Sequence, residues 1–260
     1  IVSKKLYGGT INLMGKSYKK FGWNAVFVDP GEPDNFRKAL NENTRAIFIE
    51  NLANPGGIVA DIEEIAKVAN EGGIPLIVDN TLATPFLCQP IDWGADIVVH
   101  STTKFLSGQG NALGGIVIDS GKFPWIKNPK YPSLSEPSSE YNGLTFAETF
   151  GDLAYTMYSH AISLRDLGCA QSPMNAWITL NGIETLPLRM ERHCSNAIEV
   201  AQFLEKHAKV EWVSYAGLIS SPYYDLGKKF MPNGVGSVFT FGVKGGFESG
   251  IKILENVELF

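Results

Sequence analysis

The chain has 260 residues, 44 % of them hydrophobic and 19 % charged, enough to bury a full core in one large domain or slightly more. With 22 basic against 27 acidic residues the net charge is −5, which argues against nucleic acid or an anionic membrane as partner, because either needs a basic face. No apolar run approaches the roughly 18 residues of a membrane helix, and no signal-peptide pattern opens the chain. The three cysteines, Cys88, Cys169 and Cys194, are widely spaced and odd in number, which disfavours a disulfide framework or a zinc ribbon. A cytoplasmic location without a metal is expected.

In chain order, Ile1-Val2-Ser3 reads as the middle or end of a strand. The chain carries no initiator Met and stops just after a helical stretch from Phe247 to Asn256, so an internal fragment is expected. Short apolar runs follow at Ala25 to Val28, Ala46 to Ile49, Leu76 to Val78, Ile97 to Val99 and Gly115 to Ile118. Such runs suit a sheet covered on both faces. Asp61 with Glu64 reads as a capping box, and Ile62, Ile65, Ala66 and Ala69 then form one apolar helical stripe ended by Gly72-Gly73. The β-α-β alternation predicts an α/β fold with a mostly parallel sheet.

After residue 119 the alternation stops. Four prolines between Lys122 and Tyr141 predict an extended loop of the kind that lines a site or an interface. Helices are expected from about Phe146 to Leu167 and from Ile183 to His207, the latter tolerating Pro187 near its first turn. Strands at Trp212 to Tyr215 and Ser237 to Phe241 suggest a smaller α+β unit. The expected division is a large domain over 1–195 and a truncated small domain over 196–260.

Two strand ends carry the chemistry. The run Ala95 to Val99 continues into His100-Ser101-Thr102-Thr103-Lys104, and the run before it ends in Asp79. An acid and an amine at neighbouring strand ends suit Schiff-base chemistry on pyridoxal phosphate. Asp79 would pair with a protonated ring nitrogen. At about 4 Å and an effective dielectric of 20 that pairing is worth roughly 4 kcal/mol. Ser101 and Thr103 offer hydroxyls to a phosphate, and Lys104 is expected to lie desolvated beside the apolar strands. Tyr7, ahead of Gly8-Gly9, offers a ring that stacks, and Asn54, ahead of Pro55, offers an amide donor to a phenolic oxygen. Each has a plainer reading: a helix-capping acid, a solvated lysine, turn hydroxyls, a core tyrosine and a turn asparagine. The combination of Asp79 with Lys104 raises the first reading over the second. Gly108-x-Gly110 with Gly114-Gly115 does not fit a dinucleotide loop, and His100, His160, His193 and His207 lack metal-ligand spacing.

The stretches LYGGT from Leu6, IENLANP from Ile49, PLIVDNTLATPFLCQP from Pro75, GADIVVHSTTKFLSGQG from Gly94 and NGIETLPLRMERH from Asn181 resemble the trans-sulfuration enzymes. These are the Cys/Met-metabolism family of pyridoxal-phosphate enzymes, and the resemblance covers the whole chain. It implies the aspartate-aminotransferase-like fold (fold type I) and pyridoxal 5'-phosphate as cofactor. Lys104 matches the Schiff-base lysine, Asp79 the pyridinium partner, and Ser101 and Thr103 the phosphate hydroxyls. Tyr7 matches the stacking tyrosine that also assists proton transfer, and Asn54 the residue near the phenolic oxygen. Tyr141-Asn142-Gly143-Leu144, Leu164 to Gly168 and Ser172-Pro173 look most like the O-acetylhomoserine sulfhydrylase branch of methionine biosynthesis. That branch implies γ-replacement of acetate on O-acetyl-L-homoserine by sulfide or a thiol, in a homodimer or homotetramer. Two departures stand out. Gln109 replaces the histidine usual after the lysine, and the family's arginine for the substrate carboxylate is not among the matched stretches. Competing expectations are γ-elimination or cystathionine synthesis within the family, a catalytically inert assembly module, and a nucleotide-binding α/β domain.

Overall fold

The computed structural model describes residues 1–258. Six strands form one sheet: β1 (Val2–Ser3), β2 (Phe27–Val28), β3 (Ile47–Glu50), β4 (Leu76–Asp79), β5 (Ile97–Ser101) and β6 (Gly115–Asp119). Their order is β2-β1-β3-β4-β5-β6, with β1 to β5 parallel and β6 antiparallel to β5. A separate antiparallel pair joins β7 (Val210–Ser214) to β8 (Thr240–Val243). The expected strands at the sheet are all present. The last expected strand, Ser237 to Phe241, starts three residues later than the sequence suggested.

Side-chain alternation sorts the sheet into two faces. Ile47, Ile49, Leu76, Val78 and Val98 belong to a core shared with the helix Ile62–Glu71 and the helix Leu186–Lys206. Asp61 caps the first of these helices, accepting the Glu64 N–H at 3.2 Å, and all four stripe residues are buried. On the opposite face Ile77, Ile97 and Val99 meet a second cluster built on Phe123, Trp125, Leu134 and Phe146. The proline-rich stretch therefore serves as the cover of that face. It also holds short helical turns at Pro132–Ser135 and Ser139–Tyr141.

Two expectations need correction. The sheet is not covered throughout: Ile116 and Val117 of β6 are 47 % and 54 % exposed. The link from β5 to β6 holds no crossover helix, so the chain returns antiparallel as an edge. The helix expected over 146–167 is broken into Phe146–Phe150, Ala154–Tyr158 and Ser159–Asp166, with Gly151 at φ +53° at the first break. A helix not anticipated, Pro173–Glu184, starts at Ser172, whose hydroxyl accepts the Asn175 N–H at 3.1 Å. The helix Leu186–Lys206 is continuous, and one buried cluster runs from Leu76 to Met190, Tyr215 and Phe230.

Candidate active site

Parallel strands deliver their C-terminal ends to one edge, where ligand crevices form. The chain passes from β1 outward to β2, then returns to lay β3 on the other side of β1. At that reversal Tyr7 follows β1 and Asn54 follows β3, while Asp79 ends β4 and Ser101 ends β5. Glu50 pairs with Asp79, and Asp79 with Val99, so the three share a row and a face. Ser101 lies two residues beyond Val99 on that same face.

Asp79 is anchored by the loop that leaves β4. Its Oδ1 accepts from the Thr81 N–H at 2.9 Å and the Thr81 hydroxyl at 2.5 Å. Thr81 Oγ1 in turn accepts the Ser101 N–H at 2.8 Å, tying the acid to the end of the next strand. The buried Asn80 fixes the loop by donating to the carbonyls of Thr84 and Cys88, and it accepts from Asn51. Asp79 caps no helix: the next helix, Thr84–Leu87, has no side-chain cap. Burial raises the Asp79 pKa, and the two Thr81 bonds oppose that rise.

Glu50 mirrors this arrangement on β3. Its Oε1 accepts the Tyr7 N–H at 2.6 Å and its Oε2 the Asn54 N–H at 2.9 Å. Burial pushes its pKa up to about 7, the two backbone bonds pull it down, and the neighbouring Asp79 adds to the rise. Among the described residues neither acid has a cation in an ion pair. A buried and a half-buried acid without a counter-charge favour a cationic ligand beside them.

The lysine side differs. Lys104 lies in a turn beyond β5, held by its N–H to Ser101 O at 3.3 Å, Ser107 N–H to Thr102 O at 3.0 Å and Gly108 N–H to Lys104 O at 2.9 Å. Its side chain is exposed, against the expected desolvation, because the turn projects past the sheet edge. Arg189 supports this turn, donating to Phe105 O at 2.8 Å and to Gly182 O at 2.6 Å. Thr103 Oγ1 accepts the Gly114 N–H at 3.1 Å and donates weakly to Gly114 O at 3.3 Å, so its proton can be redirected to an anion. The Ser101 hydroxyl and the Asn54 side-chain amide make no hydrogen bond among the described residues.

Tyr7 is 54 % exposed, and its ring lies over Gly9. A Cβ on Gly9 would sit 2.7 Å from Tyr7 Cε1, so this glycine makes room for the ring itself. All six residues expected to bind cofactor therefore lie along one sheet edge or just past it. Sequence reasoning missed Glu50, Thr81 and Arg189 as parts of the site. The signal for Glu50 was present: an acid ends β3 just as one ends β4. A cavity of about 690 Å³ lies at the opposite end of the strands, beside Ile1, Trp23 and Ala46, and none of the six residues lines it.

The chain is 48 % identical to an O-acetyl-L-homoserine sulfhydrylase from Leptospira meyeri, over all of this chain and 61 % of the relative. It is 46 % identical to a homocysteine synthase from Schizosaccharomyces pombe, over 98 % of this chain and 60 % of the relative. It thus spans about three fifths of these curated relatives. A crystal structure from Campylobacter jejuni, assigned as an O-acetylhomoserine (thiol)-lyase and carrying N'-pyridoxyl-lysine-5'-monophosphate, superposes with a TM-score of 0.95 at 38 % identity. That match covers all of this chain and 64 % of the other, and bears out the α/β, fold type I expectation. The family model for Cys/Met metabolism PLP-dependent enzymes matches residues 1–260, and the chain belongs to that family.

Proposed function

We propose that the whole protein, of which this chain covers the part just described, converts O-acetyl-L-homoserine and sulfide, or a thiol, to L-homocysteine, or methionine, and acetate. The observation that carries the reading is the link Asp79–Thr81–Ser101, which ties an acid to the strand end leading into Lys104. The names of the relatives in Leptospira meyeri and Schizosaccharomyces pombe support the choice of substrate. In the reaction the γ-carbon loses its bond to the acetate oxygen and gains one to sulfur.

The residues present fit pyridoxal 5'-phosphate. Its pyridine nitrogen is cationic when protonated, and Asp79, a half-buried acid with no ion-pair partner among the described residues, would hold it. Ser101 and Thr103 would donate hydroxyls to the phosphate, Tyr7 would stack on the ring and Asn54 would donate to the phenolic oxygen. Bound, the cofactor supplies an aldehyde for covalent attachment and a ring that stores the electron pair released at the substrate α-carbon. Lys104 would supply the amine for that attachment and, as a free amine, would take the α-proton on Nζ. Tyr7 assists proton transfer from its exposed position beside the crevice.

We place the whole protein in the cytoplasm by family likeness, acting on small molecules and with neither nucleic acid nor a membrane as partner. We infer at least a homodimer, and a homotetramer by family likeness, supported by the exposed Met174, Trp177 and Leu180 on the helix Pro173–Glu184. We retain residues 196–260, with the β7–β8 pair, as the start of a smaller domain.

Borohydride reduction of the pyridoxal-loaded protein, followed by peptide mapping, tests the site: a pyridoxyl group on Lys104 is expected, and a tag elsewhere or none sinks the assignment. Incubation with O-acetyl-L-homoserine and sulfide should yield homocysteine and acetate. Turnover of cystathionine alone would favour γ-elimination instead.

A further inference from the structure

Glu50 joins two loops that the sequence sets far apart. Tyr7 lies 43 positions before it and Asn54 four positions after it, yet each donates its backbone N–H to a different oxygen of the one carboxylate. Glu50 is 6 % exposed and sits in register beside Asp79. A buried charge without a cation is costly, so this residue does not read as one kept for stability alone. The arrangement does explain the charge. An amide side chain has one acceptor oxygen and one donor, so glutamine would set an N–H against one of the two backbone N–H groups. A carboxylate accepts from both, and both bonds are charge-assisted.

We propose that Glu50 is a positioning residue: it clamps the loop after β1 to the loop after β3, and so sets Tyr7 and Asn54 relative to the ring that Asp79 holds. The clamp stands on the two hydrogen bonds. Only its consequence for a ring rests on the pyridoxal reading above. Gly9 fits the same picture, because the Tyr7 ring lies back over it and leaves the Tyr7 N–H facing Glu50.

The test uses the full-length protein as Glu50→Gln and Glu50→Leu. Hydrogen exchange is read at the Tyr7 and Asn54 amides without added ligand, and pyridoxal 5'-phosphate binding is followed by absorbance titration. Loss of a charge-assisted bond should speed exchange roughly tenfold or more. Both amides should respond in Glu50→Leu and one of the two in Glu50→Gln, while Val78 inside β4 stays within twofold of wild type. The titration should weaken and the absorbance band shift. Unchanged exchange at both amides in a folded variant overturns the proposal. Acceleration spread evenly over the sheet also overturns it, since that marks plain structural support. If Glu50→Leu does not fold, Glu50→Gln decides by the same criteria. Should wild type give no absorbance band while the two amides respond as expected, the pyridoxal reading fails and the clamp stands.

Discussion

The acid side of the crevice and the lysine side are built in different ways. Glu50 and Asp79 are part of the sheet itself, side by side in one row, the first buried and the second half-buried, each gripped by two donors. Lys104 belongs to a turn past the sheet, exposed, and fixed only through the backbone around it and through Arg189 below. The contrast teaches where each part of the chemistry gets its accuracy. The acids are placed by strand register, whereas the amine stands exposed on a turn fixed through its backbone.

The sharpest way to break this contrast is Lys104→Ala. An exposed side chain without a hydrogen bond to any described residue contributes little to folding, so stability should stay within about 0.5 kcal/mol of wild type. Turnover in the pyridoxal-loaded, full-length protein should fall by on the order of a thousandfold or more. Residual activity above a few per cent of wild type would remove Lys104 from its role. Asp79→Asn tests the other side. A pairing worth about 4 kcal/mol at 4 Å corresponds to roughly a thousandfold in affinity, an upper bound because the amide still accepts one bond. Pyridoxal 5'-phosphate affinity, read by absorbance titration, should drop by roughly a hundredfold, while unfolding in urea shows no loss of stability because a half-buried charge without a counter-ion has been removed. An affinity within threefold of wild type would show that Asp79 does not face the ring.

The same contrast sets how much was legible in the sequence. Asp79 and Lys104 were readable because parallel strands end at one edge, and the apolar runs before them mark those strands plainly. Glu50 was readable as a strand-ending acid but not as a clamp, because its partner Tyr7 is brought in by β1 lying beside β3, a pairing no local pattern encodes. The exposure of Lys104 depends on how the turn from Thr102 to Gly108 leaves the sheet, which residue types alone do not specify. β6 looked like a covered strand because Gly115 to Ile118 is as apolar as its neighbours. Its edge position comes from the missing crossover helix. Ser172-Pro173 did carry a helix-start signal, an N-cap serine followed by proline at the first helical position, and it went unused.

Arg189 gives a smaller effect that sharpens the comparison. Its guanidinium makes short bonds to two backbone carbonyls and one to the Thr185 hydroxyl at 3.1 Å. Lysine cannot reproduce that fork. Arg189→Lys should lower stability by roughly 2 kcal/mol, from the loss of one or two charge-assisted bonds. It should also speed exchange of the Gly108 amide in the Lys104 turn. Turnover should fall about tenfold while cofactor affinity, which depends on the acid row, stays within threefold. Equal losses of affinity and turnover would mean that the two sides are not separately built.

The smallest effect is on the pH dependence of stability in the ligand-free protein, and it isolates the acid row. Glu50 is pushed from 4.5 up to about 7 by burial, opposed by its two backbone bonds and reinforced by Asp79. A raised carboxyl pKa means the folded state binds more protons than the unfolded one between those values, so this contribution is complete below about 4.5 and is lost as pH rises through about 7. Asp79 shifts in the same direction. The buried His100 acts oppositely: burial lowers it from 6.5 to about 4, so its contribution is present above 6.5 and lost as pH falls towards 4. The two trends partly cancel in wild type, and a flat profile there is no evidence against either. Glu50→Gln removes one trend and keeps the other. Urea unfolding at several pH values between 4.5 and 8 should therefore show the variant gaining on wild type as pH rises. A wild-type-minus-variant difference that does not change with pH would mean that Glu50 carries its charge at no cost inside the fold, and that the acid row is less buried than its hydrogen bonds imply.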